Sequence, residues 1–113
     1  MMNKKLQLRS SQWIVDEEDN IVIGKGRMEL LEQIESTGSI NQAAKAMKMS
    51  YKAAWSKIKA TEAHLETRIV VADKKDGTHL TSAGRELLKK FRALKRECLA
   101  ADDKIFMQVF GNG

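Results

Sequence analysis

Two serines, Ser39 and Ser50, each stand directly in front of a run that reads as a helix, and they constrain this 113-residue chain more than any other feature. A serine side chain at that position accepts one of the free N–H groups at a helix start. Behind Ser39, Ala43, Ala44 and Met47 recur at helical spacing, and the paired alanines let a second helix approach closely. Met47, Lys48 and Met49 supply a tight turn. The helix opened by Ser50 buries a side made of Ala54, Ile58, Thr61 and Leu65. It turns Tyr51, Lys52, Trp55, Ser56 and Lys59 away from that side. A small helix, a tight turn and a second helix with a cationic, aromatic outer face form the pattern of a helix-turn-helix, whose second helix lies in the DNA major groove. The plainer alternative is a helical hairpin in a small bundle.

Charge distribution favours the first reading. Residues 43–96 carry fourteen Lys/Arg against five Asp/Glu, whereas residues 1–42 carry five against seven and residues 97–113 one against three. The positive excess falls on the helix pair, the segment after it and the next helix. A polyanion partner follows, because neutralising phosphates releases counterions. The length suits one domain spanning residues 1–113. No run of about 18 apolar residues offers a membrane span, and the start, MMNKKLQLRSS, lacks the apolar core of a signal peptide. Cys98 is the sole cysteine, so no intramolecular disulfide forms. These features predict a cytoplasmic protein.

The remaining chain builds around the helix pair. Residues 4–15 alternate well enough for a strand, with a bulge near Ser10–Ser11. Ile21–Ile23 returns after the polar turn of residues 16–20, making an N-terminal β-hairpin that Gly24-Lys25-Gly26 ends. A first helix over about 27–36 buries Met28, Leu30, Leu31 and Ile34, turns Glu29, Glu32 and Glu35 outward, and closes at Gly38. The helix-turn-helix occupies about 39–66. A short β run from Arg68 to Asp73, a turn at Lys74-Lys75-Asp76-Gly77 and a return through Thr78–Leu80 form a wing over about 68–80. Thr81 caps a long helix over about 81–109, striped by Leu87, Leu88, Phe91, Leu94 and Leu99 and continuing through Ile105, Phe106, Val109 and Phe110. That apolar surface exceeds what one small domain covers, so a homodimer is expected. The tail Gly111-Asn112-Gly113 reads as frayed. The fold class is therefore mainly α with a small β component: a winged helix-turn-helix with an N-terminal β-hairpin and a long C-terminal helix.

No catalytic or metal-binding constellation is present. His64 and His79 stand apart from any Cys or carboxylate set at ligand spacing, and no histidine is placed to activate Ser39 or Ser50. Neither an enzyme nor a cofactor is indicated. The candidate DNA contacts are Ser50, Tyr51, Lys52, Ser56 and Lys59 for base edges and phosphates, with Lys45, Lys48, Lys74 and Lys75 positioning the backbone. Trp55 is added as a ring that could stack on a base, although packing is the commoner fate of a helical tryptophan.

Gly24 to Glu62 resembles the N-terminal DNA-binding domain of the molybdate-responsive ModE-type regulators, a winged helix-turn-helix related to the LysR-type reader. Thr37-Gly38-Ser39-Ile40, the Ala43-Ala44 pair and Met49-Ser50-Tyr51-Lys52-Ala53-Ala54-Trp55 carry the resemblance, and Leu80-Thr81, Gly84 and Leu87-Leu88 match the helix after the wing. It extends from about Trp13 to Leu94. The resemblance implies a sequence-specific, dimeric transcriptional regulator that binds double-stranded DNA. Two departures stand out. The family's wing is often long and glycine-rich, whereas here it is cut to Lys74-Lys75-Asp76-Gly77. Full-length relatives continue into a molybdate-binding domain, whereas this sequence stops at Gly113, so direct molybdate sensing is not expected of it, and the chain working alone or with a separate effector-binding protein are both left open. The alternative from another class is a winged helix that docks a protein, its basic face incidental.

Overall fold

The computed structural model describes residues 5–111. Eight elements follow in order: β1 (Ile14–Val15), β2 (Ile21–Ile23), α1 (Lys25–Thr37), α2 (Ile40–Ala46), α3 (Tyr51–Leu65), β3 (Val70–Asp73), β4 (Gly77–Leu80) and α4 (Ser82–Phe110). The strands form two separate antiparallel hairpins, β1–β2 and β3–β4. This is the mainly helical fold with a small β component that the sequence predicts.

Local chemistry accounts for the boundaries. The Ser39 hydroxyl accepts the Gln42 N–H at 3.1 Å, Ser50 accepts Ala53 at 3.0 Å, and Thr81 accepts Gly84 at 3.0 Å. Gly38 ends α1 at φ 71°, a left-handed geometry in which glycine carries no steric penalty, and its N–H closes on the Ile34 carbonyl. Lys48 takes φ 57° in the turn between α2 and α3. The core gathers Ile23 from β2, Leu30, Leu31 and Ile34 from α1, and Ile40, Ala43 and Ala44 from α2. Ala54 and Ile58 of α3, Ile69 and Val70, Leu80, and Leu88 and Phe91 of α4 complete it.

Several sequence expectations change. The strand expected over residues 4–15 is confined to Ile14–Val15, and its one irregularity lies between those two residues rather than at Ser10–Ser11. From residue 5 to residue 13 the chain takes no regular structure. Its polar groups bind α4 instead of a strand: the Ser10 hydroxyl donates to Asp102, and Lys95 Nζ donates to Gln12 at 3.3 Å. Helix α1 begins at Lys25, so Lys25 and Gly26 belong to its first turn rather than to a loop. Leu65, expected on the buried side of α3, is exposed, and β3 begins at Val70 rather than Arg68. The wing loop is Lys74-Lys75-Asp76, with Gly77 already in β4 at φ 78°. Lys4, where the N-terminal strand was expected to begin, and Asn112–Gly113 of the expected frayed tail lie outside the described residues.

Side chains weld the two hairpins to the helices. Arg27 Nη1 donates to the Ile21 carbonyl at 2.6 Å and to Thr61 Oγ1 at 3.0 Å, while the Thr61 hydroxyl donates to the Val22 carbonyl at 2.7 Å. Burial of the guanidinium lowers its pKa from the usual value, and these oxygens replace the water it loses. Asp16, in the β1–β2 turn, accepts the backbone N–H groups of Asn20 and Glu18 and meets His64 Nδ1 at 3.1 Å. The Asn20 N–H is the largest influence holding its carboxyl below the ordinary range. On the wing side, Thr78 N–H donates to the Gly38 carbonyl at 3.0 Å, fastening β4 to the α1–α2 junction.

Candidate nucleic-acid interface

Around α3 the apolar and polar sides separate cleanly. Ala54, Ile58 and Thr61 are buried against α1 and β2. One residue in every three or four along the opposite side is polar: Lys52, Ser56 and Lys59, all exposed. Tyr51 adds a half-exposed ring at the helix start. Lys45 stands in the last turn of α2, and Lys48 stands in the turn, both exposed. Lys45, Lys48, Tyr51 and Lys52 thus surround the junction of the two short helices. Ser50 keeps its hydroxyl oxygen on the Ala53 N–H, so it holds the helix start while its hydroxyl proton stays available to a ligand.

Lys74 and Lys75 are exposed at the wing tip. The Asp73 carboxylate accepts the Lys75 N–H at 2.8 Å and tightens that loop. Gly77 backs directly onto the α1–α2 junction: a Cβ there would come within 3.0 Å of the Gly38 carbonyl oxygen. This contact, together with the Thr78 bond, keeps the tip lysines close to the start of α2.

Two of the candidate residues are engaged within the protein. Trp55 is half-buried and packs against the core. Lys59 Nζ lies 4.6 Å from the centre of its ring, a cation–π arrangement that covers the ring from outside. The same ammonium lies 3.4 Å from Glu62 Oε1. The Trp55 ring thus lies between the core and the Lys59 ammonium.

Glu62 escaped the sequence reading. It is 7% exposed, and its Oε2 accepts the backbone N–H groups of Ile69 at 2.8 Å and Val70 at 3.2 Å. It therefore bolts the last turn of α3 to the root of the wing. A signal was present: Glu62 is the lone carboxylate on the outward, cationic side of α3, seven residues after Trp55. Its partners were hidden because they lie across a turn, where helical spacing gives no guide.

The positive charge of α4 is less available than the sequence suggests. Arg85, Lys89, Arg92 and Arg96 recur at four, three and four residues and so form one stripe. Glu29, Glu32 and Glu35 form a stripe on α1. Arg92 brings the stripes together, with Nε and Nη2 at 2.8 and 2.7 Å from Glu32 Oε2. Arg85 turns back to donate to the Leu80 carbonyl at 2.8 Å. Part of the basic excess therefore fastens α4 to the domain, whereas Lys45, Lys48, Lys52, Lys74 and Lys75 are exposed and carry no salt bridge among the described residues.

Comparison with known proteins agrees with this architecture. The family model for bacterial regulatory helix-turn-helix proteins of the lysR family matches residues 26–85. The chain is 37% identical over 95 residues to the "Molybdenum transport protein ModE" of Azotobacter vinelandii, covering 80% of this chain and 35% of that protein. It is 38% identical over 80 residues to the "Transcriptional regulator ModE" of Haemophilus influenzae, covering 67% and 31%. The chain thus spans about a third of the length of these relatives. Among solved structures, DarR of Vibrio fischeri in complex with DNA superposes with a TM-score of 0.60 at 20% identity, over 80% of this chain and 31% of that one, which shows a common fold.

Proposed function

The chain belongs to the bacterial regulatory helix-turn-helix proteins of the lysR family, and from that premise we propose that it is a sequence-specific DNA-binding transcriptional regulator of the ModE type, working as a homodimer in the cytoplasm. The observation that carries the reading is the outer side of α3, where Lys52 and Ser56 stand exposed behind a serine-capped start. Helix α3 enters the major groove. Ser50, Tyr51, Lys52 and Ser56 meet base edges and nearby phosphates, while Lys45, Lys48, Lys74 and Lys75 hold the backbone. The protein is a reader of DNA rather than an enzyme.

The dimer is built on α4. Leu87, Phe91, Leu94, Cys98, Ala101 and Ile105 alternate at steps of four and three, the spacing of a helix–helix seam. Phe91 is buried, but Leu94 and Ile105 are 36% and 54% exposed. The face continues onto the N-terminal hairpin through a groove of about 270 Å³ between Ile14, Ile23, Leu87, Phe91 and Leu94. The first half of α4 is basic and the second half carries Glu97, Asp102 and Asp103. A second copy running antiparallel would set unlike charges against each other. This apolar area lies on α4 and the hairpin, not on the outer side of α3, which is why DNA rather than a docked protein is assigned to α3.

The test is selection of genomic fragments by the purified protein, followed by titration of retained fragments by fluorescence anisotropy. Enrichment of one inverted-repeat motif supports the reading; binding without any preferred motif overturns sequence specificity. Lys52→Ala and Ser56→Ala are each expected to weaken the selected site by about 1–3 kcal/mol while barely changing random DNA. Lys75→Ala is expected to weaken all sequences alike and reduce the salt slope by about 1.

A further inference from the structure

On the outer side of α3, Lys59 is held by side chains of its own helix. Lys59 stands beside Lys52 and Ser56 on the outer side of α3 and is half-exposed. Yet its ammonium is directed to the Trp55 ring at 4.6 Å and to the Glu62 carboxylate at 3.4 Å. Glu62 cannot move to follow it outward, since its other oxygen is tied to the Ile69 and Val70 N–H groups and the side chain is 8% exposed. A lysine has three donors on a flexible stem, so the mobile partner is Lys59.

We propose that Glu62 is a positioning residue for the Lys59 charge: it withholds that charge from DNA in non-specific complexes and releases it only when α3 is seated on the preferred sequence. The proposal rests on the DNA-reading role of α3 set out above. On random DNA the protein sits on phosphates through its freely presented lysines, and nothing there compensates for pulling Lys59 off a buried carboxylate and an aromatic ring. On the preferred site, close approach brings a phosphate or base acceptor within reach and replaces both partners. The carboxylate therefore costs the random complex one phosphate contact, and the seated complex forms that contact at the cost of releasing Lys59. Its hold on the wing root rests on two backbone N–H groups that a glutamine carbonyl oxygen can also accept, and on the exposed Arg68 guanidinium, whose Nε lies 3.8 Å from Glu62 Oε2.

The prediction separates cleanly from a general charge effect. Affinity for a random duplex is measured across salt for the wild type, Glu62→Gln, Lys59→Ala and the double variant, with Glu66→Gln as a control for net charge at an exposed position. Glu62→Gln is expected to tighten random-duplex binding several-fold and steepen the salt slope by about 0.9, the increment for one further phosphate contact. Lys59→Ala alone is expected to leave that slope unchanged, and to abolish the Glu62→Gln effect in the double variant, while weakening the selected site about tenfold. An equal gain from Glu62→Gln with and without Lys59, or from Glu66→Gln, would overturn the proposal. A drop of about 0.9 in the slope from Lys59→Ala alone would overturn it too, and that measurement does not depend on Glu62→Gln folding. If the wild type binds no duplex in any salt, it is the DNA-reading role that fails instead.

Discussion

At Gly84 an added methyl group would stand 2.2 Å from the Ile69 carbonyl oxygen. That oxygen already accepts the Thr81 N–H at 2.9 Å, so it has little room to retreat. Glycine is needed here for close approach, not for a special φ, because α4 starts directly on the chain that leads into the wing. Gly84→Ala is expected to destabilise the fold by about 1–3 kcal/mol, the usual cost of overpacking, read as a lower midpoint in urea with the slope unchanged. A variant as stable as the wild type would mean that the start of α4 can shift without cost. The sequence displays Gly84 in the first turn of a helix but not what lies opposite. The same limit hid Glu62 and Arg27. Their partners are backbone groups of other segments, and nothing in their own spacing points to Ile69 or to Ile21.

Elements were legible where the deciding interaction is local. Ser39, Ser50 and Thr81 each bond an N–H three residues on, within reach of any reading of caps, and Gly38 ends α1 by its own backbone geometry. The N-terminal strand is shorter than alternation predicts because alternation alone does not supply a partner strand; β2 is only Ile21–Ile23, and polar groups of residues 5–13 bind α4 instead. Helix α2 spans only Ile40–Ala46. A helix that short is marginal by itself, so it depends on its cap and on burial of Ile40, Ala43 and Ala44. Ser39→Ala and Ser50→Ala are each expected to cost about 1 kcal/mol of stability through the lost cap. They should differ on DNA. Ser50→Ala also removes a hydroxyl from the start of the reading helix and is expected to weaken the selected site beyond what Ser39→Ala does at matched folded fraction. Equal losses would leave Ser50 a cap and nothing more.

The whole molecule is elongated. Its radius of gyration is 17.4 Å and its extents are 61 × 30 × 21 Å, whereas a compact chain of this length would have a radius near 13 Å. The excess is α4, whose 29 residues run about 43 Å. Its fully buried side chains lie in the first three turns, among them Leu88 and Phe91, whereas Val109 is 72% exposed and Phe110 51%. An isolated helix gains nothing by presenting such a stripe to water, and a second copy removes it from water at both ends of the pair at once. Ile105 lies far beyond the core, so its replacement tests the pairing and not the fold. Ile105→Asp is expected to shift sedimentation from dimer to monomer at micromolar concentration, with the urea midpoint of the wing-side core little changed. The monomer carries one reading helix instead of two, so its affinity for a full inverted repeat should fall to about that for a half-site, the linkage between two sites being lost. A variant that stays dimeric would move the interface to the N-terminal hairpin, where Trp13, Ile14 and Val15 are the exposed apolar residues. In that case charge reversal of Asp102 and Asp103 would leave the dimer intact, whereas on an antiparallel α4 pair it would set like charges face to face and weaken it.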